Sequence, residues 1–138
     1  MVWDAIILGA GAAGMMAAIE AGRRGRKVLI IDHAKKPGEK IRISGGGRCN
    51  FTNLGIAPDR FLSQNPRFAL SALKRFTAAD FIARVDAAGI TWHEKTLGQL
   101  FCDGSATQVV KMLVDDMAAA GVVLWLDWGL GEVCKDGD

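Results

Sequence analysis

The sequence predicts an α/β fold that opens with a strand–turn–helix–strand unit, and three observations predict it. Ala5, Ile6, Ile7 and Leu8 form a continuous apolar run, and Val28 to Ile31 form a second. Runs of this kind are how strands buried on both faces of a parallel sheet read. Between them Gly9, Gly11 and Gly14 are spaced GxGxxG, and the second run ends at Asp32. Two parallel strands need a crossover, and a helix between them makes a right-handed βαβ unit.

Each element has its own signal. Ala12 to Arg24 is rich in Ala and Met, which favours helix, and Gly22 and Gly25 lie where that helix should stop. The stretch from His33 to Asn53 has neither period and contains Pro37, Gly38 and the triplet Gly45, Gly46, Gly47, so it reads as an ordered loop. Loops this long inside a compact domain are usually functional. Asn65 with Pro66 opens a helix ending near Phe76, and Thr77 with Asp80 forms a capping box for a helix closed by Gly89. Ile90 to His93 and Gln99 to Cys102 read as short strands around a turn at Lys95 to Gly98. Ser105 with Gln108 caps a further helix that ends at Gly121. Val122 to Leu126 and Leu130 to Cys134 read as two more strands, the second running into an Asp136-Gly137 turn with no returning strand. The expectation is a chain cut short at its C-terminus, with a βαβ unit and loop over 1–53 and a mostly helical insertion over 54–121.

Composition narrows the class. With 138 residues, 50% hydrophobic, 23% charged and a formal net charge of +2, the chain fits a soluble globular domain rather than a disordered or membrane protein. Cys49, Cys102 and Cys134 are an odd set without CxxC spacing, which argues against a disulfide framework or a zinc site and fits a reducing cytoplasm. The segment from Val2 to Gly22 carries Asp4 and Glu20 and lacks a basic start, so it does not read as a signal or membrane segment. Near balance of charge argues against a dedicated nucleic-acid binder. The cluster Arg23, Arg24, Arg26 and Lys27 suits a helix C-terminus. The expected partner is a small organic molecule; oligomeric state leaves no mark in the sequence.

The glycine spacing carries the chemistry. GxGxxG alone is weak, but here it follows a predicted strand, opens a predicted helix and precedes Asp32 by eighteen residues counted from Gly14. That context is a dinucleotide-binding, Rossmann-like fingerprint. Gly9 permits the tight turn, Gly11 lets the backbone approach a diphosphate, and Gly14 allows close helix–strand packing. The diphosphate would meet the free N–H groups of the helix start around Ala12 and Ala13. Asp32 would accept hydrogen bonds from ribose hydroxyls. No GK[ST] follows, which excludes a Walker-type phosphate loop.

The fingerprint alone leaves NAD and FAD open. The run from Gly38 to Asn53, GEKIRISGGGRCNFTN, closely resembles the signature of the BaiN-like (YhiN-like) NAD(P)/FAD-dependent oxidoreductases, and the segment from His93 to Ser105 is similar to that family as well. The resemblance implies a flavoprotein fold with FAD extended and its ADP half on the βαβ unit. It also implies that Ser44, Gly45, Gly46, Gly47, Arg48, Cys49 and Asn50 line the flavin side of the diphosphate and that a strand around Leu130 meets the adenine. Lys40, Arg42 and Arg48 would supply positive charge to the diphosphate. His33 falls beside Asp32 at the strand end, where it would border the cofactor. Cys49 reads as a small buried residue of a close-packed loop, because a redox role needs a resolving cysteine and none is near in sequence. His33 and His93 remain candidates for an acid or base. The family label adds NAD(P)H as a donor, although only one fingerprint is present. The implied function is FAD-dependent oxidation or reduction of a small organic substrate; a NAD-binding dehydrogenase half and a noncatalytic nucleotide-binding module are the alternatives.

Overall fold

The computed structural model describes residues 1–135 and divides into two compact units. The first comprises Met1–Ile41 and the chain from Val110 onward; the second is Arg42–Val109.

In the first unit, strand β1 (Ala5–Leu8), helix α1 (Ala12–Arg23) and strand β2 (Val28–Ile31) form the expected βαβ crossover. The last strand in chain order, β6 (Val123–Trp125), pairs with β2, giving the all-parallel order β1-β2-β6. The register sets Leu8 beside Ile31 and Ile31 beside Trp125. This order is one half of a doubly wound Rossmann sheet. Helix α1 buries Met15, Ala18 and Ile19. It approaches the chain before β6 so closely that a Cβ on Gly22 would fall 2.5 Å from the Ala120 carbonyl oxygen. Helix α5 (Thr107–Ala119) adds Leu113 and Met117 to this core. Its start is held as the Ser105 and Gln108 pattern predicts: Ser105 Oγ accepts from Thr107 N–H, and Gln108 Oε1 accepts from Ser105 N–H.

Three expectations need correction here. Strand β1 is not buried on both faces, because Ile6 and Leu8 are 55% and 53% exposed. Ile7 points at α1, which covers one face, and the opposite face shows Ile6 and Leu8. The segment Leu130 to Cys134 is not a strand; it is irregular and exposed. Gly129 and Gly131 flank its start, and the chain leaves the sheet after Trp125 through Asp127, whose φ is +60°. The Asp136-Gly137 turn lies outside the described residues. The stretch 33–53, read as a loop, also holds helix α2 (Glu39–Ile43) and strand β3 (Asn50–Asn53). Both are too short to show a period.

The second unit contains an antiparallel sheet of β3, β4 (Trp92–Glu94) and β5 (Gln99–Cys102) in the order β3-β5-β4. The predicted hairpin forms, with Lys95 N–H donating to Gln99 O at 2.8 Å. Ile90 stays out of β4 because its N–H donates to Val85 O at the end of helix α4 (Ala78–Ala87). The α4 capping box is present: Asp80 N–H donates to Thr77 Oγ1, and Thr77 N–H donates to Asp80 Oδ2 at 2.7 Å. Helix α3 (Leu70–Arg75) starts later than expected. Over 66–69 the chain is a turn closed by Phe68 N–H to Asn65 O, and the exposed Phe68 gives that stretch no apolar anchor.

Candidate functional site

In the first unit, the turn from β1 into α1 shows what each fingerprint glycine does. Gly9 has φ +101°, a backbone that side chains disfavour, and its N–H donates to Ile31 O at 2.8 Å. A Cβ on Gly14 would fall 1.9 Å from the Gly9 carbonyl oxygen, so the third glycine lets the helix start against the turn. A Cβ on Gly11 would meet only open space. That space lies at the N-terminus of α1, where Ala12 and Ala13 are exposed and the first turn carries no acidic residue. The first intrahelical bond here runs from Met15 N–H to Gly11 O, leaving the N–H groups of Ala12, Ala13 and Gly14 without helical acceptors. Such a start draws anions.

Asp32 sits across this turn. Its Oδ2 accepts the Ala10 N–H at 2.6 Å and its Oδ1 accepts the Ala34 N–H at 2.9 Å. Burial alone would raise its carboxyl, but the N–H groups of Ala34 and Ala10 outweigh this and hold it below its ordinary value, aided by nearby His33. Asp32 therefore braces the glycine turn, a role the spacing did not disclose. Each oxygen keeps a second lone pair for a hydroxyl. A cleft of about 350 Å³ opens here, lined by Gly9, Asp32, His33, Trp128 and Leu130 among others. Leu130 lines this cleft as irregular chain rather than as part of the expected strand. His33 is exposed, with Nδ1 3.4 Å from Asp32 Oδ1. Lys40 is exposed on α2.

In the second unit, Ser44–Gly47 forms a tight turn in which Gly45 and Gly46 take left-handed backbone, with φ +58° and +66°. A Cβ on Gly45 would lie 2.6 Å from the Phe101 ring, whereas at Gly46 it would meet open space. The loop is tied down from afar: Ala106 N–H donates to Gly47 O at 2.7 Å, and Cys102 N–H to Arg48 O at 3.0 Å. Arg48 and Asn50 are exposed. Cys49 is buried, at φ +54°, with its N–H on Ser44 O. Burial pushes its thiol up, against a smaller opposing pull from the Ser44 side chain. Burial, with Cys49 and Asp103 nearby, raises Cys102 to about 11. At neutral pH neither buried thiol is a nucleophile. His93 pairs with Asp103 on the same sheet, a partnership ten residues apart that the sequence did not announce.

Among the described residues no group of three or more His, Cys, Asp or Glu could hold a metal ion, and no helix is long and apolar enough to cross a membrane.

A parallel β1-β2-β6 sheet, a glycine turn and an exposed helix start define a Rossmann-type domain. The chain belongs to the family of the HI0933-like protein Rossmann domain, whose model matches residues 3–138. It is 60% identical over 134 residues to the ribosomal RNA dihydrouridine synthase of Escherichia coli K12, covering 97% of this chain and 34% of that protein. Against the protein of the same name from Haemophilus influenzae Rd it is 52% identical over 121 residues, 88% of this chain and 30% of that protein. The chain thus spans about a third of the length of these relatives. Its fold is also that of the 3-ketosteroid-delta4-(5alpha)-dehydrogenase from Rhodococcus jostii RHA1, at TM-score 0.58 and 17% identity over 92% of this chain and 39% of that one.

Proposed function

We propose that this chain is the FAD-binding part of a BaiN-like (YhiN-like) flavoprotein reductase that takes electrons from NAD(P)H and reduces the uracil ring of a uridine in ribosomal RNA. The observation that carries the cofactor reading is the open space at Gly11, before three helix N–H groups without helical acceptors and beside the Asp32 cleft. A diphosphate fits that chemistry, and a ribose hydroxyl fits the remaining lone pairs of Asp32. The Ser44–Asn50 loop offers a second stretch of exposed backbone, with Arg48 as a cation. FAD supplies hydride chemistry when bound; the chain supplies position and charge.

The substrate reading rests on the names of the two relatives. It sets aside the expectation, drawn from the near balance of charge, that the partner is not a nucleic acid. A cytoplasmic location follows from that substrate and suits three free cysteines.

Titration of FAD into the purified chain, followed by flavin fluorescence, tests the cofactor. Saturable binding weaker than about a micromolar is expected, because the chain walls only part of an extended dinucleotide. Gly11→Val should abolish it, since the side chain fills the open space. Binding of NADH with none of FAD would favour the dehydrogenase reading; no binding of either nucleotide would refute both. Incubating the protein with FAD, NADPH and ribosomal RNA, and weighing the nucleosides for a uridine that has gained two hydrogens, tests the substrate.

A further inference from the structure

The second unit carries an arrangement that nucleotide binding leaves unused. His93 Nδ1 lies 2.7 Å from Asp103 Oδ1. Asp103 is itself positioned: its N–H donates to Thr91 O at 2.9 Å, and its carboxylate accepts from the Thr91 side chain and feels the charge of Arg48. The hydrogen bond from His93, the largest influence, holds the Asp103 carboxyl below its ordinary range. With Nδ1 taken, Nε2 is the ring nitrogen left for other work, and the His93 side chain is 42% exposed.

His93 also sits on the face that holds the cofactor loop. It is opposite Phe101 in the β4–β5 register, and Phe101 is opposite Asn50 across β3–β5. The His93 and Phe101 rings stack with centroids 6.3 Å apart. A Cβ on Gly45 would lie 2.6 Å from the same Phe101 ring, and Lys95 Nζ lies 5.0 Å from its centroid. Loop, aromatic ring and His–Asp pair therefore form one row. The charged groups along this row are Asp103 on His93, Lys95 over the Phe101 ring, and Arg48, whose charge reaches Asp103.

Resting on the reductase reading above, we propose that His93, oriented by Asp103, is the proton donor of the reduction. His93 gives its Nε2 proton to one carbon of the substrate C=C bond while the other carbon takes hydride from the reduced flavin. The π electrons form the new C–H bond to the proton, His93 is left neutral, and water reprotonates it. A His–Asp pair serves here as it does in other proton transfers, with the carboxylate fixing the tautomer and stabilising the charged ring. A merely structural pair would be redundant, because the ladder and the Asp103–Thr91 bond already join β4 to the end of β5.

The experiment compares wild type, His93→Gln, His93→Ala and Asp103→Asn, loaded with FAD, in two separate steps: bleaching of the flavin by NADPH without oxygen, and formation of reduced uridine in a ribosomal RNA transcript. His93→Gln should bind FAD and bleach at the wild-type rate while product formation falls at least about a hundredfold. Free imidazole should restore part of the activity of His93→Ala, which a structural histidine would not allow. Asp103→Asn should lose about tenfold, because the ring loses the carboxylate that orients it. In the unliganded chain, nitrogen NMR should find the neutral His93 ring protonated on Nδ1. Product formation by His93→Gln at the wild-type rate, a parallel loss of FAD binding, or a neutral ring protonated on Nε2 would each overturn the proposal. A wild type that bleaches but leaves uridine intact refutes the RNA reading alone; the comparison is then run with 2-cyclohexenone, which needs the same hydride and proton. Failure of the wild type on that acceptor too overturns both.

Discussion

The two glycine-bearing turns of this protein look alike in sequence and are built differently. In the β1–α1 turn the constraint is local: Gly14 makes room for Gly9 five residues away, and Asp32 at the end of the neighbouring strand braces Ala10. In the Ser44–Gly47 turn it is mostly distant: Gly45 makes room for Phe101 as well as for Asn50 N, Gly47 O is held by Ala106, and Arg48 O by Cys102. A short-range constraint leaves a spacing that can be read, whereas a long-range one leaves only a run of glycines. Both turns nonetheless end in the same kind of surface, with glycine opening onto free space, Gly9 and Gly11 in one and Gly46 in the other.

The sharpest way to break this comparison is to fill the local contact. Gly14→Ala places a methyl group 1.9 Å from a backbone oxygen, and backbone on both sides cannot yield as a flexible side chain would. We expect a loss of about 3 kcal/mol or more, at the severe end of overpacking. Gly11→Ala, in open space, should leave stability within about 0.5 kcal/mol of wild type. Hydrogen exchange resolved by segment checks both: Gly14→Ala should speed exchange in β1 and β2 and spare β3 and β5. Equal protection of β1 and β2 in the two variants would refute the packing role of Gly14.

Filling the distant contact should cost less. Gly45→Ala pays for a left-handed backbone, about 1 to 2 kcal/mol, and the Phe101 ring must move aside. The ring can move, but Asn50 N, 2.8 Å from the same Cβ, is backbone and shifts only with its loop, so about 2 to 3 kcal/mol in total is expected, with faster exchange in β3 and β5. Gly46→Ala meets the same backbone cost with no neighbour to displace, and the difference between the two variants isolates the Phe101 and Asn50 contacts together.

What could be read in advance follows the same division. The βαβ unit was legible because its strands, its fingerprint and Asp32 lie within one short stretch of chain, and the capping box at Thr77 and Asp80 because it spans three residues. Strand β3 was not, because Asn50 to Asn53 has no apolar alternation and becomes a strand through its pairing with β5, nearly fifty residues away. The reverse error at Leu130 to Cys134 has the same origin: an apolar stretch without a neighbouring strand has nothing to complete its hydrogen bonds except water. Of the site residues, Leu130 lines the Asp32 cleft as irregular chain and not on the strand expected there, and the His93–Asp103 pair was invisible because it joins the third strand of a sheet to the residue after its neighbour.

A smaller loss than at either packed glycine is expected at Asp32, where brace and ribose acceptor meet in one carboxylate. Asp32→Asn keeps the size and one acceptor oxygen but puts an NH2 group where Ala10 or Ala34 donates, so one N–H loses its partner. A hydrogen bond to a charged group contributes roughly 1.5 to 3 kcal/mol, and the low end applies because the second bond survives: about 1.5 kcal/mol. The pH dependence gives the sign. The folded Asp32 carboxyl lies below its ordinary value of 3.8, so its contribution is present above pH 3.8 and disappears as the pH falls through the depressed folded value. The stability gap between wild type and Asp32→Asn should therefore be constant from pH 7 down to about 5, narrow below 3.8, and close once the carboxyl is protonated in both states. Urea unfolding at a series of pH values measures that gap. A gap that persists undiminished at pH 2, or one that widens on acidification, would mean that Asp32 steadies the glycine turn by its shape rather than its charge, and the distinction between a charge-braced turn and a packing-braced turn would fall.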